Sequence, residues 1–145
     1  MQVKVLRLQK NIKLPQYQHN GDSCVDLINA GEDISIKPLS RHLIPTGLKV
    51  SIPDGYELQV RPRSGLAIKK GITVLNTPGT IDSGYRGEIC VIIYNSSNET
   101  VEIKTGERVA QMALCKVEKI SWEEVDDLDI TVRSEGGFGS TGTHG

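Results

Sequence analysis

The sequence predicts an all-β domain of the sandwich or barrel type, with one short helix and a glycine-rich C-terminal arm. Three observations carry that prediction. Apolar residues recur with period two in short runs along the chain. Gly, Pro, Asn and Asp punctuate these runs at close intervals, as turns between strands require. A single segment combines a capping hydroxyl, a short apolar turn and two lysines before a glycine. At 145 residues the chain makes one ordinary domain, long enough to bury a core.

Val3 and Val5 begin the first run. Leu43, then Leu48, Val50 and Ile52, form a second around a Pro45-Thr46-Gly47 bend, and Tyr56, Leu58 and Val60 a third. The helix is expected from Ser64 to Gly71. Ser64 would cap it, Lys69 and Lys70 suit its C-terminal end, and Gly71 would stop it. Ile72 to Leu75 reads as a short buried strand. Glu88 to Tyr94 is nearly continuous apolar and reads as a central strand. Val101 to Ile103 and Val109 to Val117 complete the set. Five of the seven residues from Glu123 to Asp129 are acidic, the pattern of a solvated linker. Residues 1–130 are expected to form the β domain and 131–145 a flexible arm.

Seventeen basic and 18 acidic residues leave a net charge of −1. That balance excludes a bulk electrostatic grip on nucleic acid. No apolar stretch approaches a membrane span, and the start, MQVKVLRLQKN, has no signal-peptide core. Cys24, Cys90 and Cys115 form no CxxC or Cys/His pattern, so reduced thiols and an intracellular, cytoplasmic protein are expected. None of His19, His42 and His144 pairs with a plausible nucleophile. Phe138 is the single phenylalanine, and it lies where five of the last ten residues are glycine. A chain this poor in aromatics would ordinarily bury its one Phe, so Phe138 is expected to serve another purpose.

Five segments hold chemistry-bearing residues, and each has a plain structural reading beside the functional one. Arg63 and Ser64 stand at a helix N-terminus, where free N–H groups suit phosphate; a capped helix with a surface Arg explains them too. Gly79 to Gly87 frames Asp82 and Tyr85 with glycines in a hairpin-like segment. Asp82 could deprotonate a water, or merely shape a turn. Arg108 and Gln111 open a strand and fall on opposite faces by period-two counting. The tail places Arg133, Phe138, Ser140 and Thr141 among glycines, suiting phosphate and a stacked base, or a disordered linker. Asp26 could touch metal-bound water, or form a turn.

Together, in order and spacing, these segments resemble the trimeric dUTP pyrophosphatase (dUTPase) family. Its five motifs stand here as GDSCVDL, RPRSGLA, LNTPGTIDSGYRGE, GERVAQM and RSEGGFGSTG, spanning Gly21 to Gly142. The resemblance implies a jelly-roll-like β domain (a β-clip) in a homotrimer, with each active site drawn from all three chains. It implies hydrolysis of dUTP to dUMP and pyrophosphate, with Mg²⁺ on the triphosphate. Such an enzyme limits uracil incorporation into DNA and supplies dUMP for dTMP synthesis. By the same resemblance Asp82 activates the water that attacks the α-phosphorus, and Tyr85 packs on deoxyribose to reject ribonucleotides. Asn76, with the backbone around Gly79, reads uracil, and Ile81 lines its pocket. Arg63, Ser64, Gly65 and Gln111 hold phosphates, and Asp26 supports the metal's water shell. Phe138, beside Gly139, stacks over uracil, while Arg133, Ser140 and Thr141 grip the terminal phosphates.

One departure stands out. The family commonly carries Ala-Gly where this chain has Ser23-Cys24, so a local difference in backbone is expected. Two other functions compete. A dCTP deaminase resembles this fold but needs a glutamate at the position of Ile92, and an aliphatic side chain cannot shuttle protons. A regulatory protein without turnover would be expected to lack Asp82 or the tail, and both are present.

Overall fold

Two four-stranded antiparallel sheets and one two-stranded sheet share a single core in the computed structural model, which describes all 145 residues. In chain order the strands are β1 (Lys4–Arg7), β2 (Val25–Ile28), β3 (Ile34–Ile36), β4 (Arg41–Ser51) and β5 (Tyr56–Arg61). After the helix α1 (Ser64–Lys70) come β6 (Ile72–Val74), β7 (Gly79–Ile81), β8 (Glu88–Asn95), β9 (Val101–Ile103) and β10 (Arg108–Lys116). One large sheet runs β1-β4-β8-β6, the other β2-β10-β5-β7, and β3 pairs with β9. The all-β, jelly-roll-like expectation agrees with this layout.

Alternation decides which side chains meet in the middle. Along β8, Ile89, Val91, Ile93 and Asn95 are buried, while Glu88, Cys90, Ile92 and Tyr94 are half-buried. Leu27, Leu58, Val60 and Met112 face them from the second large sheet, within one cluster of 19 buried residues. That cluster contains no Phe or Trp; Val, Ile and Leu fill it, with one Ala and one Met. Its one polar anchor at the end of β8 is Asn95. The Asn95 amide donates to the carbonyls of Ile36 and Glu99 at 2.9 and 2.7 Å and accepts from the Ser97 N–H at 2.9 Å. A buried amide satisfied on every side escapes the penalty of an unpaired polar group and locks the loops around it.

The run expected around the Pro45-Thr46-Gly47 bend forms as one strand, β4, with the bend as a register shift inside it. Gly47 has φ 72°, and a β-carbon there would collide with Ile12. The Thr46 hydroxyl donates to the Ile89 carbonyl at 2.6 Å, and the Gly47 N–H donates to Glu88 Oε1 at 2.8 Å, which pins the bulge to β8. Ser64 is not the helix cap. Arg63 holds that position with extended backbone and no capping hydrogen bond, so Ser64 is the first helical residue. Gly71 ends the helix as expected, left-handed at φ 65°. Lastly, β2, β3 and β7 exist although no run announced them.

The packed body ends just after β10, where the Val117 N–H donates to the Gly55 carbonyl at 2.9 Å. The chain boundary read from composition, residue 130, lies further along. Ile120, Trp122, Leu128, Ile130 and Val132 are all exposed beyond that point. No helix is long and apolar enough to cross a membrane.

Candidate active site

The residues named from sequence fall into three groups in the folded chain. The first lines a cavity of about 350 Å³ between β5, β7 and the start of β8. Asn76, Gly79, Ile81, Asp82 and Tyr85 all contribute to its wall. Their segment is not a simple hairpin. β7 pairs with β5, whereas β8 pairs with β4 and β6, so residues 82–87 carry the chain from one sheet to the other. That crossing opens a gap at the sheet edges and suspends Asp82 and Tyr85 over it.

Within this pocket each side chain has a physical reason for its place. Gly79 is buried, and a β-carbon there would lie 3.3 Å from Asn76 Nδ2 and 3.4 Å from Val60 Cβ. Its bareness lets the Asn76 amide lie close to the strand. A tight turn, with the Tyr85 N–H donating to the Asp82 carbonyl at 3.1 Å, holds the crossing. Arg86 braces it by donating to the Ser83 and Tyr85 carbonyls at 2.6 and 2.9 Å. The Asp82 carboxylate is exposed and takes part in none of the four ion pairs. The Tyr85 hydroxyl donates to the Glu88 carbonyl at 3.0 Å.

The second group gathers around Asp26 on β2. Its carboxylate is largely shielded, with 18% of the side chain exposed, and meets Arg63 Nε at 3.1 Å and Arg108 Nη1 at 3.3 Å. Gln111 pairs directly with Asp26 across β2 and β10, and its amide donates to the Pro62 carbonyl at 2.9 Å. This corrects the period-two count. The β2–β10 register shifts between Arg108 and Ala110, and Val109 and Ala110 are both buried. One extra residue inside the strand brings Arg108 and Gln111 to the same face, that of Asp26. Ser64 and Gly65, both exposed, open α1 directly after Arg63.

The third group is the tail. Phe138 is fully exposed, and every hydrogen bond made by residues 131–144 is to a residue within three positions. Arg133, Gly139, Ser140 and Thr141 therefore form no hydrogen bond with either other group in this chain. The Asp26 cleft and the Asp82 pocket also share no lining residue.

Two features of the site escaped sequence reading. Arg108 completes the Asp26 pair, and its signal was hidden by the bulge. Cys90 lines the Asp82 pocket, two residues after Glu88 and two before Ile92 on the same face of β8. Burial, with a smaller contribution from the Glu88 carboxylate, pushes the Cys90 thiol up from its ordinary value, so it stays a neutral part of the wall. Neither Ser23 nor Cys24 has a positive φ, so the side chain at 24 demands no unusual backbone.

The dUTPase family model matches residues 10–142. A deoxyuridine 5'-triphosphate nucleotidohydrolase of Fusobacterium nucleatum is 56% identical over 143 residues, covering 98% of this chain and 97% of the relative. One of the same name from Finegoldia magna is 54% identical, covering 98% and 99%. Among solved structures, a variant of the Staphylococcus bacteriophage 80alpha dUTPase with dUpNHpp superposes with a TM-score of 0.87 at 27% identity, covering 98% of this chain and 99% of that one. Matched along nearly its whole length by family, relatives and fold, this chain belongs to the dUTPase family.

Proposed function

We propose that the protein hydrolyses dUTP to dUMP and pyrophosphate, in a homotrimer whose three sites each combine groups from more than one chain. The observation that carries this reading is the Asp82 pocket: an unpaired carboxylate beside a tyrosine ring and a free amide, in a cavity sized for a nucleoside. Asn76 and the backbone near Gly79 read the uracil edge, with Ile81 beneath. Tyr85 packs where a ribose 2′-hydroxyl would sit. Asp82 takes the proton of the water that attacks the α-phosphorus. Arg63, Ser64, Gly65 and Gln111 hold the phosphates, and the tail brings Phe138 over the base and Arg133, Ser140 and Thr141 to the far phosphates. Gly139 gives the tail its turn beside Phe138. Closing that tail excludes bulk water. Such turnover keeps dUTP out of DNA and supplies dUMP for dTMP synthesis.

A Mg²⁺ ion fits the donor set only as a passenger on the triphosphate. No group of three or more His, Cys, Asp or Glu side chains could cage a metal, and both Asp26 oxygens are engaged by guanidinium groups. Mg²⁺ retains waters and favours phosphate oxygens, so Asp26 would hold it only through its water shell, and the ion would supply neutralisation of phosphate charge.

Assembly from several chains is supported by what one chain leaves undone. The three groups stay apart, and Ile120, Trp122, Leu128, Ile130 and Val132 are exposed. Burying a side chain of this size against another copy contributes about 1.5–3 kcal/mol. The deaminase alternative finds no support, because Ile92 lines the pocket where a proton carrier would be needed.

Pyrophosphate release from dUTP, dTTP, dCTP and UTP with Mg²⁺ tests base, sugar and reaction together. Activity on dUTP alone is expected, and Asp82→Asn should slow it by about 10²–10⁴-fold. Equal rates for Asp82→Asn and wild type would remove Asp82 as the base. Ammonia release from dCTP would overturn the reaction class.

A further inference from the structure

We propose that Gly87 is a positioning residue: the space left by its missing β-carbon seats the Tyr85 ring and thereby sets the choice between deoxyribose and ribose. This rests on the reading of Tyr85 given above. A β-carbon built on Gly87 would lie 2.9 Å from Tyr85 Cε2 and nearer still to Cζ and the hydroxyl oxygen. The ring thus lies folded back across Gly87, in contact that no other residue type permits. Backbone strain does not require glycine here, since Gly87 is absent from the positive-φ glycines. Space is the reason. Gly84, in the same crossing segment, has nothing within 4 Å of a built β-carbon, so the requirement is specific to Gly87.

What the ring rests on is rigid. Its hydroxyl donates to the Glu88 carbonyl at 3.0 Å, and Glu88 opens β8. The Glu88 side chain accepts from the Gly47 N–H at 2.8 Å, tying that point to the bulge of β4. Discrimination by a clash with one hydroxyl needs the clashing wall to stay put, because a misplacement near 1 Å costs up to about 10²-fold in rate. An alanine at 87 would leave the strand where it is and lift the half-exposed ring, the movable partner, out of its seat.

The test compares Gly87→Ala, Tyr85→Ala and wild type for kcat/KM with dUTP and with UTP. The Tyr85 ring signals are followed by NMR, assigned by their loss in Tyr85→Phe. Gly87→Ala is expected to lower the dUTP-over-UTP preference by at least about tenfold, to shift the Tyr85 ring signals, and to keep the wild-type melting temperature. Unmoved ring signals would overturn the proposal, as would an intact preference in Gly87→Ala alongside a lost one in Tyr85→Ala. An intact preference in Tyr85→Ala overturns instead the assignment of sugar choice to the ring, and with it the selectivity attributed to Gly87.

Discussion

Phe138 has no partner in its own chain. Its ring is fully exposed, and its φ of 50° puts a bulky residue in the left-handed region, at a cost of about 1–2 kcal/mol. Nothing in the fold's stability places it there; the stacking on uracil proposed above would. Phe138→Ala should therefore raise KM or lower kcat for dUTP while shifting Tm by no more than about 2 °C. Steady-state kinetics beside a thermal melt would show it, and a large fall in Tm would return the residue to the core. This position was legible in the sequence because one Phe among glycines breaks a compositional habit. Arg108 was not legible as the partner of Asp26, because its place depends on the next two residues, Val109 and Ala110, both turning into the core.

At the scale of the element, the long strands declared themselves by alternation and the short β6 and β9 by their apolar residues, whereas β2, β3 and β7 did not. β4, β5, β8 and β10 each show enough residues for alternation to appear. β2, β3 and β7 are strands because a partner recruits them, which no local pattern records. The β3–β9 pair adds a polar clasp: the Asp33 carboxylate accepts from the Thr105 N–H at 2.8 Å, and the Thr105 hydroxyl donates to the Gly31 carbonyl at 2.6 Å. That backbone N–H, ahead of smaller contributions, holds the Asp33 carboxyl below its ordinary range. A lowered carboxyl stabilises the fold above its unfolded pKa, and the stabilisation is lost as pH falls through the folded one. The hydrogen-exchange protection of the Thr105 amide should thus hold near neutrality and weaken below about pH 4. In Asp33→Asn that acid-dependent step should vanish; a step that persists would assign it to another group.

For the whole molecule, the fold of one chain is complete while its site is not. In the assembly proposed above, the Asp82 pocket, the Asp26 cleft and the tail would be brought together by packing of the copies and closure of the tail. Their residues were legible by resemblance in sequence; their separation was visible only in three dimensions. Removing residues from Arg133 onward should reduce turnover by orders of magnitude and leave the assembly unchanged in sedimentation. Cutting after Lys119 also removes the exposed apolar residues from Ile120 to Val132, and should break the assembly as well. Phe138 lies six residues beyond Val132, the last of those apolar residues, so a flexible tether from there lets it range roughly 13 Å on average and at most about 20 Å. A tail on such a leash behaves as a ligand kept at an effective concentration in the millimolar range. A synthetic peptide of residues 131–145, added to the enzyme truncated at Arg133, should accordingly restore turnover only as it approaches about 1 mM.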